Sequence, residues 1–286
     1  MGLLGDPMKA KPFLKWPGGK RQLVPALARY IPARFGRYHE PFVGGGALFF
    51  YLWNQGLVRH GAILSDLNAE LIDCYLAVRD NVEELIDLLH RLQPYVTDRD
   101  FFYDIRRWDR QPDFAHRSRV ERAARTIFLN RTCYNGLYRL NKKGQFNAPF
   151  GDYKNPQIVD RNTLRAASRA LRDVELRVAD FAAVLDEAHA GDVVYFDPPY
   201  VPVSKTASFT NYTNDGFDAC DHRRLSMVVQ HLMARQCFVL LSNASTPLTH
   251  QLYADTCRID VVQARRAINC HGSRRGPVAE LIISPL

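Results

Sequence analysis

Short apolar runs closed by turn residues recur along this chain, and between them lie stretches where apolar residues return every three or four positions. Runs of the first kind read as strands buried on both faces, and stretches of the second kind as amphipathic helices. Strands are predicted at 38–43, 62–64, 175–178, 193–196, 237–241, 259–263 and 278–283. Helices are predicted over 47–53, after Asn68 through residue 77 or beyond, over most of 82–130, from 162, over 181–189 and over 221–235. Pro94 and Pro112 interrupt the long helical stretch, because proline lacks the amide proton a helix interior needs. Residues 131–156 are rich in Gly, Asn, Pro and aromatics with little periodicity, which predicts a long functional loop region. Strands alternating with helices imply an α/β fold on a mostly parallel sheet. No crossover helix is evident between the last two strands, so they are expected to close the sheet as an antiparallel hairpin.

Two loops stand out against this frame. The 38–43 strand opens into Gly44-Gly45-Gly46, and Asp66 follows Gly44 by 22 residues, at the end of the next strand. A nucleotide-binding sheet offers a carboxylate to ribose hydroxyls at that distance. Phe49 occupies the third glycine position of a pyrophosphate loop, and no phosphate-loop lysine follows, so a nucleoside without phosphates fits better than NAD or ATP.

The second loop carries the chemistry. The run Val193-Val194-Tyr195-Phe196 empties into Asp197-Pro198-Pro199-Tyr200, where two prolines must end the strand because neither donates to a sheet ladder. Asp197 could simply cap the next segment, but by average residue frequencies this four-residue string arises by chance in roughly one chain per thousand of this length. Read as a site, it suits an amine attached to a flat ring. The Asp197 carboxylate and the Pro198 carbonyl can accept from the amine, drawing its lone pair out of conjugation, while Tyr200 stacks on the heterocycle.

Charge and composition narrow the partner. Residues 99–172 hold 17 Lys and Arg against 7 Asp and Glu, a net of +10 against +8 for the whole chain, so the remainder nets −2. The arginines are interleaved with Tyr134, Tyr138, Phe146, Phe150 and Tyr153 and with several asparagines, a mixture suited to phosphates and base edges. The six cysteines include no C-x-x-C pair, and the nine histidines form no H-E-x-x-H or H-x-E arrangement, so no metal is expected. No run approaches the ~18 apolar residues of a membrane span, and no secretory leader is evident, so a cytoplasmic protein without membrane attachment is expected.

Three blocks, Phe13-Leu14-Lys15-Trp16-Pro17-Gly18-Gly19-Lys20, Pro41-Phe42-Val43-Gly44-Gly45-Gly46 and Asp197-Pro198-Pro199-Tyr200, resemble in order and content the Dam-type DNA adenine-N6 methyltransferases. Residues 129–139 (Leu-Asn-Arg-Thr-Cys-Tyr-Asn-Gly-Leu-Tyr-Arg) and 144–151 (Gly-Gln-Phe-Asn-Ala-Pro-Phe-Gly) resemble that family's DNA-reading segment, and 209–212 and 241–243 resemble positions flanking its pocket. The resemblance spans nearly the whole chain, with Pro17 and Gly45 as departures.

It implies a Rossmann-like methyltransferase fold of seven strands, formed by 1–80 and 173–286, with a mainly helical DNA-recognition domain inserted at 81–172. It implies S-adenosylmethionine bound by Trp16, Lys20, Gly44, Gly46, Asp66 and Asp197, and catalysis by Asp197, Pro198, Pro199 and Tyr200. Double-stranded DNA is the implied substrate, with Lys15, Arg131, Tyr134, Asn135, Leu137 and Arg139 as its contacts and GATC as the leading target. A monomer with no obligatory protein partner is expected. Cytosine-N4 and glutamine methyltransferases tend to carry Ser or Asn before Pro-Pro-Tyr, so Asp197 favours adenine. A non-catalytic DNA-binding module and an RNA methyltransferase are the remaining alternatives.

Overall fold

A computed structural model describes residues 8–16, 20, 22–201, 217–265 and 277–286. The expected strings at 17–19 and 209–212 lie outside the described residues. Seven strands form one sheet in the order β3-β2-β1-β4-β5-β7-β6: β1 Tyr38–Glu40, β2 Ala62–Asp66, β3 Val174–Val178, β4 Val193–Phe196, β5 Phe238–Ala244, β6 Cys257–Arg265 and β7 Pro277–Pro285. Strand β1 runs parallel to both β2 and β4, and β4 parallel to β5. Strand β7 lies antiparallel to β5 and β6, which is the predicted terminal hairpin. Strand order reverses between β1 and β4, and open α/β sheets bind ligands at the carboxyl ends of strands beside such a point.

The chain divides into two compact units. One comprises Met1–Gly19, Gly44–Gln55 and Asn68–Val178, and the other Lys20–Val43, Gly56–Leu67 and Ala179–Leu286. The first is mainly helical: α2 Ala47–Asn54, α3 Ala69–Asp80, α4 Val82–Leu92, α5 Arg99–Arg107, α6 Arg119–Thr132 and α7 Arg161–Leu171. Local chemistry sets their starts. Asn68, Asp98 and Asp160 each accept from a backbone amide of the first turn, and Ser118 with Glu121 forms a reciprocal capping box. Chain breaks fall at the expected prolines, with a 3-10 turn at Gln93–Tyr95 and a turn at Pro112. Helix α6 buries almost its whole length, including Arg125.

The second unit holds α1 Val24–Leu27, α8 Ala219–Ala234 and α9 Pro247–Tyr253. Several elements differ from the sequence reading: β1 ends at Glu40, three residues short of the predicted 43, and the short α1 was not predicted. Residues Phe181–Asp186 form a 3-10 turn rather than the predicted helix over 181–189, with Phe181 and Val184 packed into the core below β4 and β5. Helix α9 was not anticipated, although Thr246 caps it and Pro247 opens it, a combination legible from sequence. Strand β5 runs on to Ala244, three residues beyond its predicted end, which makes Ser242 and Asn243 part of the sheet.

His222 on α8 is buried beside Phe217, with ring centroids 4.7 Å apart, and among the described residues neither ring nitrogen has a hydrogen-bond partner. Burial pushes its pKa down to about 4, against the smaller opposing pull of Asp221 and Asp218. The fold therefore stabilises the neutral ring. Stability is full above the ordinary histidine range and falls as pH drops toward 4, by roughly 3 kcal/mol at pH 4, because the unfolded chain takes the proton first. Replacing His222 by Phe should flatten the melting temperature between pH 7 and 4.5, and an unchanged acid slope in calorimetry would refute the assignment.

Candidate active site

In the second unit, the end of β4 gathers a dense set of polar groups. The buried run Val193–Phe196 stops at the prolines as expected, leaving Asp197 half-buried at the strand's carboxyl end. Ser242 Oγ donates to Asp197 Oδ1 at 2.7 Å, and Lys20 Nζ pairs with the same oxygen at 3.0 Å. Among the described residues both contacts fall on Oδ1, which leaves Oδ2 to accept another donor. Lys20 also lies over the Tyr200 ring, 4.3 Å from its centroid, a distance at which the cation is drawn to the aromatic face.

Further groups hold this set in place. The Tyr195 hydroxyl lies 3.0 Å from Ser242 Oγ, and Tyr200 donates to Glu280 Oε2 at 2.8 Å. Tyr38, which opens β1, donates to Glu40 Oε2, which closes it, at 2.9 Å, with both residues buried. Burial, followed by the negative charges around them, pushes the phenols of Tyr38, Tyr195 and Tyr200 well above the ordinary tyrosine range. All three therefore remain donors at working pH. Asp66 is the last residue of β2, and its backbone carbonyl accepts from Ala179 at 3.2 Å.

The first unit places the other sequence-derived residues. Gly44 and Gly46 adopt positive φ, 45° and 63°, as turn glycines can without strain. A Cβ on Gly44 would come within 2.8 Å of Trp16 Cδ1, so only glycine leaves room for the indole there. Trp16 stacks on Tyr138 with centroids 5.1 Å apart, and Tyr138 donates to Glu70 Oε2 at 3.1 Å. Asn130 locks Lys15 through both backbone groups, accepting its N–H at 2.8 Å and donating to its carbonyl at 2.7 Å. The Lys15 ammonium lies 5.1 Å from the Tyr153 ring centroid, and burial and then the charge of Arg131 lower its pKa.

Arg131 donates to the Phe13 carbonyl at 2.5 Å. Tyr134 is exposed beside Asn135, whose φ of 54° is left-handed, while Leu137 is half-buried. Arg139 is exposed and donates to the Asn147 side chain at 2.6 Å and carbonyl at 2.9 Å. The 131–156 stretch is thus folded back on itself, with bridges Cys133–Phe150 and Leu140–Phe146.

Sequence reasoning missed Glu40, Tyr195 and Glu280. Glu40 ends β1 in the structure, but the sequence reading ran that strand on to 43 and so placed no carboxylate at its end. Glu280 left a fainter signal, a lone acid within an otherwise apolar final strand. Among the described residues, no group of three or more His, Cys, Asp or Glu is placed to hold a metal, and no helix is long and apolar enough to cross a membrane.

A sheet of this strand order, with a carboxylate and an aromatic at the end of β4, defines an α/β enzyme of the methyltransferase type. Residues 16–268 match the model of the D12 class N6 adenine-specific DNA methyltransferases, and the chain belongs to that family. It is 43% identical to the type II methyltransferase M1.LlaDCHI of Lactococcus lactis subsp. cremoris, an alignment covering 96% of this chain and 95% of the relative. Against the type II methyltransferase M.MjaIII of Methanocaldococcus jannaschii the identity is 40%, covering 96% and 99%. Against the DNA adenine methylase of Salmonella typhi it is 34%, covering 96% and 95%. The protein is an adenine-N6 DNA methyltransferase dependent on S-adenosylmethionine.

Proposed function

We propose that the protein methylates the N6 amine of an adenine turned out of duplex DNA, within GATC, and that Asp197, Pro198, Pro199 and Tyr200 receive the base. The observation that carries this reading is the end of β4, where Ser242 and Lys20 occupy one oxygen of Asp197 beside the Tyr200 ring. A base inside a duplex cannot present its amine to a protein pocket, and turning it out costs a few kcal/mol of stacking and pairing. Tyr200 offsets part of that cost by offering its face to the base. Asp197 and the Pro198 carbonyl accept the amine's two protons and stabilise the positive charge that develops on nitrogen. Pro199 restricts the backbone that presents them.

S-adenosylmethionine, when bound, supplies a methyl group on a positively charged sulfur. Transfer to the amine would release the sulfur as a neutral thioether, and the proton of the methylated nitrogen, by then strongly acidic, would pass to solvent, so that Asp197 need not act as a base. The residues present suit this cofactor. In the second unit, Asp66 provides acceptors for ribose hydroxyls, and Lys20, already drawn to Asp197, provides a cation for a carboxylate. In the first unit, Gly44, where a Cβ would come within 2.8 Å of Trp16, lets an aromatic face lie close against backbone, and Gly46 turns the chain beside it with its positive φ.

For DNA, Lys15 and Arg139 are assigned to base edges, Arg139 reading a guanine with its guanidinium held by Asn147. Tyr134, Asn135 and Leu137 face the strand being opened, and Arg131 supports Lys15 through Phe13. Recognition falls to the basic 81–172 segment. The same reading has the enzyme working as a cytoplasmic monomer without an obligatory protein partner.

The test is transfer of labelled methyl from S-adenosylmethionine to duplexes carrying GATC or a permuted site, with structured RNA as a competing acceptor. Label in adenine of GATC duplexes alone is expected. Equal labelling of the permuted duplex would refute the target sequence, and label in RNA would refute the substrate.

A further inference from the structure

Tyr200 follows two prolines whose rings restrict the backbone, so the freedom left to it lies mainly in its own side chain. Its hydroxyl donates to Glu280 Oε2 at 2.8 Å, across 80 residues of sequence. Glu280 sits on β7 opposite Ala244 of β5 and Val262 of β6, a strand paired on both sides. A carboxylate on such a strand is a firmer mount than one on a loop. The chain just beyond the ring is tied as well, since Asn243 Oδ1 accepts from Val201 N at 3.3 Å and from Ala244 N at 2.8 Å. Lys20 meets the ring on its face, while Glu280 meets it at the hydroxyl, so the two contacts do not compete for the same atoms.

We propose that Glu280 is a positioning residue for methyl transfer: by accepting the Tyr200 hydroxyl it sets the rotation and depth of the ring on which the target base stacks. This rests on the reading that Tyr200 receives the base. Glu280 touches neither base nor cofactor in this role and acts through Tyr200 alone. The phenol is suited to the task because burial keeps it protonated and donating. A ring without its tether explores rotamers that misplace the base, and misplacement lowers turnover without weakening cofactor binding.

The test is a double-substitution cycle read by steady-state methyl transfer to duplex DNA. Glu280→Ala and Tyr200→Phe, which remove the same hydrogen bond from opposite ends, should each lower kcat about tenfold, with KM for S-adenosylmethionine within about twofold of the parent. The double variant should fall no more than about twofold below either single one. Glu280→Gln keeps an amide oxygen able to accept and should recover the rate to within about threefold of the parent.

A parental rate in Glu280→Ala, a double variant with the product of the two losses, or a Glu280→Gln as impaired as Glu280→Ala would each overturn the inference. Failure of the underlying reading looks different: Tyr200→Ala, which removes the ring itself, would transfer methyl at the parental rate, and the inference would fall with it. Normal labelling by the parent with independent losses in the cycle would remove the role of Glu280 alone.

Discussion

Asp197→Ala is expected to lower single-turnover methyl transfer by at least about a thousandfold while leaving DNA and S-adenosylmethionine affinity within about tenfold of the parent. The carboxylate is asked to stabilise a charge that exists only as nitrogen attacks, so its loss belongs to the chemical step rather than to binding. Removal also takes from Lys20 the carboxylate with which its ammonium pairs at 3.0 Å, and from Ser242 the oxygen to which it donates. Asp197→Asn separates these effects. Its amide oxygen still accepts from Ser242, so folding is preserved while the charge is absent. Transfer should remain far below the parent in both variants, with the fold intact by calorimetry. Near-normal turnover in either would remove Asp197 from the mechanism, and a loss confined to cofactor affinity would make it a binding residue only.

The second large effect is on stability. Arg125→Met should destabilise the first unit by about 3–5 kcal/mol in chemical denaturation, because a fully buried guanidinium is removed from two carboxylates. Arg125 Nη2 lies 2.7 Å from Asp109 and Nη1 3.2 Å from Glu70, and the same side chain donates to the carbonyls of Ile105 and Arg106. Glu70 in turn accepts from Thr126 at 3.3 Å and from Tyr138, the residue on which Trp16 stacks. Met matches much of the volume but satisfies none of these groups. A loss below about 1 kcal/mol would mean that the partners left to the two carboxylates, Arg110 and the Phe146 amide for Asp109 and Thr126 and Tyr138 for Glu70, suffice without the buried guanidinium. Altered tryptophan fluorescence should accompany the loss, since the network ends under Trp16.

Much of the site was legible from local signals. The prolines after Phe196 had to end a buried strand, and that strand's end is where the sheet displays Asp197. Gly44 and Gly46 after β1 adopt the left-handed backbone that their residue type suggested, and Asp66 closes the next strand as its spacing implied. The helix starts could be read from Asn68, Ser118 and Asp160, whose capping is a contact over three residues. The 181–189 region resisted because a short apolar spacing serves a 3-10 turn as well as an α-helix, and only packing of Phe181 and Val184 chooses between them.

The order of elements, the chemical identity of the Asp197–Tyr200 string and the basic character of the 99–172 segment were set by the amino-acid sequence itself, through periodicity, proline and charge, which act between near neighbours. Folding alone decided that Lys20 and Ser242 share one oxygen of Asp197, that Glu280 reaches Tyr200, and that Arg125 is enclosed by acids. Those pairings join residues 45 to 177 positions apart, or lie within a buried network, and no periodic pattern encodes contacts between strands brought together only by the register of a sheet.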